Sequence, residues 1–212
     1  MYKFFKRILD VVCALLFLTV LGPVMLVIAL AIKLEDPAGP IFADTPDRVG
    51  KGGKNFFMYK FRSMIPNAHE YLESHPELKK KYEAHQGKLK IEQDPRITKV
   101  GSFIRRVDLD ELPQFINVLK GEMSIVGPRA CYPDERARYI RDFPEFKDKI
   151  NSVLRVKPGI TGLWQVSGRN ALTLKERFRL EADYVKFRNF WLDLKIMLMT
   201  PIVILTRKGA YE

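Results

Sequence analysis

Cysteine and histidine are both scarce in this chain. Cys13 and Cys131 are the only cysteines among the 212 residues, and they lie far apart in sequence. Two such residues provide no disulfide framework, which fits a reducing compartment. The three histidines, His69, His75 and His85, are spaced by six and ten residues, so neighbouring ones do not share a helix face. The sequence therefore predicts neither a disulfide-stabilised fold nor a histidine metal site.

The sequence also lacks a nucleotide-binding P-loop. Residues 48–54 are rich in glycine and base, but no Gly-Lys-Ser/Thr ending follows them. Two interpretations of this turn stay open, a backbone nest for phosphate or a hairpin with solvated lysines. Lysine and arginine exceed the acids by 36 to 25, giving a net charge of +11 that suits nucleic acid, anionic lipid or a phosphorylated substrate. The bases are scattered among acids without a recognised nucleic-acid motif, so we expect no nucleic-acid partner.

One long apolar run is present near the N-terminus. Val11 to Ile32 is a stretch of 22 residues without a charge. A straight helix of that length extends roughly 33 Å, enough to cross the hydrocarbon core of a bilayer. A basic flank precedes the run, as in a signal peptide, but no small-x-small cleavage site ends it. We therefore expect a membrane segment that is retained.

Proline and charge argue against a simple membrane span. Gly22-Pro23 lies at the centre of the run, where the proline ring removes a backbone donor and predicts a break or sharp kink. Bases flank the run on both sides, and the positive-inside rule places both flanks on the cytoplasmic face. We predict a re-entrant helix–break–helix over residues 1–34 and a cytoplasmic catalytic domain over residues 35–212. A kinked span is the alternative.

Three carboxylates, Asp108, Asp110 and Glu111, lie within four residues of one another. An apolar run with helical spacing follows them, and Arg105 and Arg106 come just before. Acids beside bases suit a site that binds phosphate and a divalent cation. The alternative is a helix N-terminus, where the helix dipole favours acids.

Residues 56–64 alternate in the manner of a β-strand. Lys60 and Arg62 fall on one face of that strand, because side chains two residues apart point the same way. Like charges on one face repel, so we expect an anion between them.

The remaining segments predict an α/β protein that is mostly helical with a small sheet. Residues 65–93 indicate two short surface helices, and residues 134–146 and 174–187 indicate amphipathic helices. Residues 190–205 are apolar, with a break predicted at Thr200-Pro201, and Arg207 and Lys208 follow. This end suits an interfacial amphipathic segment or a core helix, with about equal weight. Trp164 and Arg169 suit either a substrate loop or a buried tryptophan beside a surface arginine.

Several motifs together resemble a known family, the bacterial sugar transferases, which are monotopic phosphoglycosyl transferases. The closest likeness is to the branch that transfers hexose 1-phosphates to undecaprenyl phosphate. Longer members carry further N-terminal segments, so we expect this chain to correspond to their catalytic unit only. The motifs that carry the resemblance are Tyr59-Lys60-Phe61-Arg62-Ser63-Met64, Asp94-Pro95-Arg96-Ile97-Thr98, Leu109-Asp110-Glu111-Leu112-Pro113-Gln114, Asn117-Val118-Leu119-Lys120-Gly121-Glu122, Val126-Gly127-Pro128-Arg129 and the run from Pro158 to Asn170.

The resemblance implies a ping-pong reaction at the cytoplasmic face of the bacterial inner membrane. A UDP-sugar gives its sugar phosphate to the enzyme, UMP leaves, and polyprenyl phosphate accepts the sugar phosphate. Asp110 is the implied nucleophile, and Glu111 its partner, with both acids near a Mg²⁺ ion. The alternative is a non-catalytic membrane-associated scaffold, and neither the sugar nor the oligomeric state follows from the sequence. Arg105 and Arg129 match the family's phosphate-binding arginines, and the further predicted substrate-binding residues are Lys60, Arg62, Gln165 and Arg169.

Several positions depart from the family pattern, among them Asp108 and Glu181. Asp108 stands where the family usually has Ser or Thr, which adds a third acid. Glu181 stands where an Asp is usual.

Overall fold

The computed structural model describes residues 1–85 and 89–206. The described residues form ten α-helices and two short two-stranded sheets, which confirms a mostly helical protein with little sheet. The helices are α1 (Tyr2–Glu35), α2 (Ala68–Glu73), α3 (Pro76–Ala84), α4 (Lys99–Arg106), α5 (Gln114–Lys120), α6 (Pro133–Asp142), α7 (Lys147–Ser152), α8 (Leu163–Ser167), α9 (Leu174–Phe187) and α10 (Phe190–Leu205). The strands are β1 (Arg48–Val49), β2 (Asn55–Phe56), β3 (Ser124–Val126) and β4 (Gly159–Thr161).

Helix α1 continues without interruption through Pro23 for 34 residues. A break in helical structure, one form of the predicted break or sharp kink, is therefore wrong, whereas a kink at Pro23 stays a prediction. An interior proline removes one backbone hydrogen bond, and its ring also crowds the Cβ atom of the preceding residue. That residue is Gly22, which has no Cβ, and the space around it is open. Whether α1 re-enters the membrane surface on its own side stays a prediction.

Among the described helices, α1 alone is long and apolar enough to cross a membrane by length and composition. Its most apolar 18-residue window has a mean hydropathy of 2.8, and 11% of that window is buried. A core helix of a soluble protein would be mostly buried, and α1 is not. A signal sequence near an N-terminus has a similar length and hydropathy, so these two properties do not distinguish it from α1. Large apolar side chains of α1 that are exposed include Leu16, Val20, Leu26, Val27 and Leu30.

The chain forms two compact units. The first contains Met1–Gly22, Thr45–Tyr59 and the described residues from Gln114 onward, and the second contains Pro23–Asp44 and the described part of Lys60–Pro113. In the first unit, β3 and β4 pair in parallel. The antiparallel pair β1–β2 encloses the glycine-rich turn, which is the hairpin interpretation of residues 48–54. The predicted boundary at residues 34 and 35 concerns the membrane and stays a prediction.

The second unit is built around an apolar cluster beneath its extended segments. Ile28 and Ile32 of α1 pack with Phe61 and with Ile104 of α4, and all four side chains are at most 6% exposed. Val100 and Leu109 pack against the same cluster. The predicted strand over residues 56–64 is present only as β2 and as isolated bridges at Phe61 and Met64.

Buried acids attach the N-terminal half of α1 to the rest of the first unit. The Asp193 carboxylate of α10, 1% exposed, accepts hydrogen bonds from the Tyr2 hydroxyl at 2.8 Å, the Lys6 ammonium at 2.9 Å and the Tyr184 hydroxyl at 2.8 Å. Asp10 accepts from the backbone N–H of Ile125, in β3, at 2.9 Å. These buried carboxylates thus join the N-terminal half of α1 to α10 and to β3.

Most predicted helices are found with small shifts at their ends, but the helix predicted over residues 134–146 ends at Asp142, because Pro144 disfavours a helical conformation of the residue before it. The two surface helices correspond to α2 and α3, and residues 174–187 form α9, whose N-terminus is closed by a capping box between Thr173 and Glu176. The break predicted at Thr200-Pro201 is wrong, since α10 runs through Pro201. The loss of one backbone bond at that proline leaves the other helical bonds intact. Arg207 and Lys208 lie outside the described residues.

We expect Asp193→Asn to destabilise the protein markedly. The substitution leaves the Lys6 ammonium without its counter-charge, and losing one partner of a buried ion pair costs about 3–5 kcal/mol. Thermal unfolding in detergent, followed by circular dichroism, should show a melting temperature about 10 °C lower. Asp148→Asn on α7 removes an exposed carboxylate and should melt like the wild type. Equal melting of the two variants would contradict the anchoring role of Asp193.

Candidate active site

The turn between α4 and α5 carries the acidic cluster. Asp108 adopts a left-handed backbone conformation, with φ of 55°, which aspartate tolerates better than most residues. A single 3₁₀ turn, Leu109–Glu111, follows, and α5 begins at Gln114. This tight turn directs the neighbouring side chains of Asp110 and Glu111 into different surroundings. Asp110 is buried, whereas the Glu111 side chain is 41% exposed.

Lys60 binds both members of this acidic pair within the second unit. Its ammonium lies 2.8 Å from the Asp110 Oδ2 atom and 3.5 Å from the Glu111 Oε1 atom. A backbone hydrogen bond also holds the two segments together, since the Phe61 N–H donates to the Asp110 carbonyl at 2.9 Å. On its other side, the Lys60 carbonyl accepts from the Ala43 N–H at 2.8 Å. Two segments 50 residues apart thus present one cation and two carboxylates together.

Burial and charge act in opposite directions on this ion pair. Burial raises the pKa of the Asp110 carboxyl above its usual range, whereas the Lys60 and Arg105 charges act to lower it. Burial alone would lower the pKa of Lys60, but the Glu111 and Asp110 carboxylates raise it above its ordinary value. Lys60 is therefore a cation at neutral pH, and its charge favours the ionised form of the carboxylate beside it. Its side chain is 21% exposed, so the pair is reached from solvent through Lys60.

Arg62 does not join Lys60 around an anion. Its guanidinium, 6% exposed, forms an ion pair with Asp36 and also donates to the Asp36 carbonyl at 3.3 Å. The two bases share an alternating segment, but each has a different carboxylate partner. The prediction of an anion between Lys60 and Arg62 is therefore wrong. The partner residue, Asp36, was missed because it lies in a distant segment with no chemical pattern of its own.

The acidic pair fits a magnesium ion that is shared with a substrate. No cluster of three or more His, Cys, Asp or Glu side chains able to hold a metal occurs in residues 1–85 and 89–206. Mg²⁺ is commonly held by one or two carboxylates together with substrate phosphates and water, so a larger protein cage is not required. The half-exposed Glu111 carboxylate beside Asp110 is a donor set of that kind.

A second group of predicted residues lies in the first unit, where two parallel strands end. The segment containing Arg129 follows β3, and α8 with Trp164 and Gln165 follows β4. Because parallel strands end at the same edge, these residues come together, and the Arg129 guanidinium lies 6.0 Å from the centre of the Trp164 ring. Gly127 permits this close packing, since a Cβ there would collide with the backbone of residues 157–159. Trp164 is 8% exposed, which matches the buried interpretation.

Helix α9 holds the Arg129 segment through buried charges. The Glu181 Oε1 atom accepts the Arg129 backbone N–H at 3.2 Å and the Arg177 Nε–H at 3.3 Å. Arg177 also lies 3.3 Å from the Cys131 sulfur. Burial raises the pKa of the Cys131 thiol to about 11, so this cysteine is a neutral packing group at pH 7. Sequence reasoning missed Arg177 altogether and treated Glu181 only as a departure from the family pattern.

Three polar atoms at this edge have no hydrogen-bond partner in the described structure although they are buried. They are Arg129 Nε, Trp164 Nε1 and Gln165 Oε1. Buried polar groups are nearly always paired with protein, water or ligand, so two donors and an acceptor here suit a polar ligand or ordered water.

The structure thus brings together Lys60, Asp110 and Glu111, with the Arg105 charge close by, in the second unit. Arg129 and Gln165 lie in the first unit at the β3–β4 edge. Arg169 lies in the 3₁₀ turn that follows α8, in the left-handed backbone region, with φ of 52°. The substrate-binding roles of these residues stay predictions.

Comparison with known proteins identifies the family. The family model described as bacterial sugar transferase matches residues 1–207. The chain belongs to the bacterial sugar transferase family. An exopolysaccharide production protein, ExoY, of Sinorhizobium fredii is 39% identical over 97% of this chain and 88% of its own length.

Other relatives of this sugar transferase are longer. The undecaprenyl-phosphate galactose phosphotransferase of Salmonella typhimurium is 43% identical over 99% of this chain. The UDP-glucose:undecaprenyl-phosphate glucose-1-phosphate transferase of Escherichia coli is 38% identical over 99% of this chain. In both comparisons this chain covers 42% of the relative's length.

Proposed function

We propose that this protein transfers a sugar 1-phosphate from a UDP-sugar to polyprenyl phosphate, undecaprenyl phosphate in bacteria, and releases UMP. The family and the names of its relatives support the reaction class, as a first step in lipid-linked glycan assembly. The observation that carries the mechanism is the Lys60 ammonium 2.8 Å from the Asp110 carboxylate, beside the half-exposed Glu111. This arrangement offers a nucleophile, a mobile cation and a second carboxylate in one place.

In the first half-reaction, a carboxylate oxygen of Asp110 attacks the β-phosphorus of the UDP-sugar. The bond from that phosphorus to the oxygen bridging the two phosphates breaks, and UMP leaves with the bridging oxygen. The sugar phosphate stays bonded to Asp110. A diphosphate that arrives at the site competes for Lys60, whose flexible side chain swings from Asp110 to a phosphate oxygen. This exchange uncovers the nucleophile and reduces its repulsion by the phosphates.

In the second half-reaction, an oxygen of polyprenyl phosphate attacks the same phosphorus. The bond from phosphorus to the Asp110 oxygen breaks, which restores the carboxylate and yields a polyprenyl diphosphosugar. Both steps are phosphoryl transfers, so positioning and charge neutralisation supply most of the catalysis. Arg105, in the same unit as Lys60 and Asp110, would hold a phosphate oxygen through its planar donor fork. A phosphate-binding role for Arg129 stays a separate prediction.

Asp110 and Glu111 would hold Mg²⁺ together with the substrate phosphates. When bound, the ion neutralises phosphate charge and polarises the phosphorus–oxygen bond. Glu111 is the more accessible ligand, because its side chain is 41% exposed while that of Asp110 is 4% exposed.

Because the proposed donor is soluble and the proposed acceptor is a lipid, the reaction requires the protein to lie at the membrane surface. We propose that α1 enters and leaves the cytoplasmic leaflet by the same face, through a bend near Pro23, and that α10 lies in the interface. Exposed apolar side chains support contact of both helices with lipid. On α10 they include Trp191, Leu198, Ile202 and Leu205.

Donor specificity and turnover test the proposed reaction. We expect UMP release from at least one member of a UDP-sugar panel when polyprenyl phosphate and Mg²⁺ are present. Asp110→Asn keeps the side-chain shape but removes the nucleophile, so kcat should fall on the order of 10³-fold or more. Glu73→Gln is the matched control, since it removes an exposed carboxylate of α2 in the same unit and should retain turnover. A scaffold would release no UMP with any donor, and full turnover by Asp110→Asn would exclude a covalent role for Asp110.

Lys60 variants separate charge from geometry. Lys60→Met leaves Asp110 without its cation and the incoming phosphates without a donor, so kcat should fall about 10²-fold. Lys60→Arg keeps the charge but not the point-like, rotatable ammonium, so its kcat should lie between those of the wild type and Lys60→Met. Steady-state UMP release measures both. A Lys60→Met enzyme as fast as the wild type would show that Lys60 plays no part in catalysis.

Cysteine labelling tests the orientation of α1. In a variant without Cys13 and Cys131, we expect Lys3→Cys and Leu34→Cys to react with a membrane-impermeant maleimide from the same side of sealed vesicles. Both side chains are exposed, so labelling reports sidedness rather than burial. Reaction from opposite sides would establish a membrane-spanning helix instead.

A further inference from the structure

Two adjacent acids end α1, and they bind two different segments of the second unit. Glu35 accepts the backbone N–H groups of Lys99 at 2.7 Å and Val100 at 3.2 Å, in the first turn of α4. Asp36, the next residue, forms the ion pair with the buried Arg62 guanidinium. Neither acid belongs to the acidic cluster at residues 108–111.

Glu35 completes the cap of α4. The Thr98 hydroxyl accepts the Gly101 N–H at 2.9 Å, so the first three N–H groups of this helix all have side-chain acceptors. Those groups have no acceptor within the helix itself, and a carboxylate at a helix N-terminus is favoured by the dipole. The other end of α4 carries Arg105 and leads into the turn of Asp110. A cap supplied by α1 therefore fixes the start of the helix whose end forms the site.

Asp36 fixes the other site segment. Arg62 lies two residues after Lys60, and its backbone N–H donates to the Ile41 carbonyl at 2.8 Å. Its guanidinium packs so closely over Gly39 that a Cβ there would collide with it. The segment that carries Lys60 is thereby held to the chain that leaves α1.

The apolar cluster beneath these contacts joins α1 to the same two segments, α4 with its following turn and the segment that carries Lys60. Ile28 and Ile32 of α1 pack with Phe61, Ile104 and Leu109. Each of these last three residues is the chain neighbour of a site residue, because Phe61 follows Lys60, Ile104 precedes Arg105 and Leu109 precedes Asp110. Polar and apolar contacts thus tie the C-terminal half of α1 to both segments that form the site.

We propose that Glu35 and Asp36 are positioning residues that hold α4 and the Lys60 segment on the end of α1. This inference rests on the proposed function, because it assigns them a role in the geometry of Lys60 and Asp110. Their observed partners are the first turn of α4 and the Arg62 guanidinium. Their loss lets the two segments move relative to each other, which slows the chemical step, while donor binding is preserved.

The test uses the full chain in phospholipid nanodiscs, with hydrogen–deuterium exchange and steady-state kinetics. In Glu35→Ala, amides in the peptide covering residues 99–111 should exchange about fivefold faster, the effect of losing a helix cap. In Glu35→Ala and in Asp36→Asn, kcat should fall on the order of tenfold while KM for the UDP-sugar stays within about twofold, because small misplacements at a site slow the reaction strongly. Glu35→Gln keeps an acceptor oxygen and should recover part of the rate.

Glu73→Gln is the matched control, because it removes an exposed, ion-paired carboxylate from the surface helix α2 of the same unit. Its exchange and kinetics should equal those of the wild type. If Asp36→Asn does not fold, Asp36→Glu keeps the charge but displaces it by one methylene, and the same fall in kcat is expected.

The outcomes distinguish this inference from the proposed function. Wild-type exchange and wild-type kcat in the Glu35 and Asp36 variants, alongside an inactive Asp110→Asn, would overturn the positioning role and leave the function standing. A lower melting temperature with unchanged kcat well below it would also overturn the positioning role, because the acids would then serve stability alone. Absence of UMP release by the wild type with every donor would overturn both.

Discussion

The ion pair between Lys60 and Asp110 is the interaction on which the site depends. A carboxylate that is 3% exposed loses most of its hydration, and its ionised form persists only where a close cation replaces that loss. Lys60 provides the cation at 2.8 Å, and the bond from the Phe61 N–H to the Asp110 carbonyl keeps the two backbones in register. Asp110 is therefore buried against a charged, partly exposed side chain and not sealed in an apolar core. Such a carboxylate can be exposed by the movement of one lysine.

Helix α1 has two kinds of surface, one packed against the protein and one exposed. In the second unit, Ile28 and Ile32 face the apolar cluster, while Leu26, Val27 and Leu30 are more than half exposed. In the first unit, Asp10 and the donors to Asp193 attach the helix by hydrogen bonds. The helix that contacts lipid in our proposal is thus also part of the core beneath the reacting groups.

Sequence patterns predicted a helix well where the residues that decide its bounds are close together in the chain. Helix α9 has the bounds expected from periodicity, since its capping box depends on residues three apart. The same local rules failed at Pro23 and Pro201, because one lost hydrogen bond does not end a long apolar helix.

The site was predictable only in part. The acidic cluster was visible, but residues alone did not separate a reactive pair from a helix N-terminus, and the resemblance to sugar transferases supplied the assignment. Partners from distant segments, such as Asp36 for Arg62 and Glu181 for the Arg129 backbone, follow from tertiary packing that no local spacing records.

The most direct test of covalent catalysis is mass spectrometry of the enzyme quenched after incubation with an active UDP-sugar and Mg²⁺ but without polyprenyl phosphate. We expect UMP release stoichiometric with the enzyme, and a mass increase of one sugar phosphate on the peptide that contains Asp110. Addition of polyprenyl phosphate should remove that mass. Sustained turnover with acceptor, but no adduct on Asp110 at any quench time, would contradict the covalent mechanism.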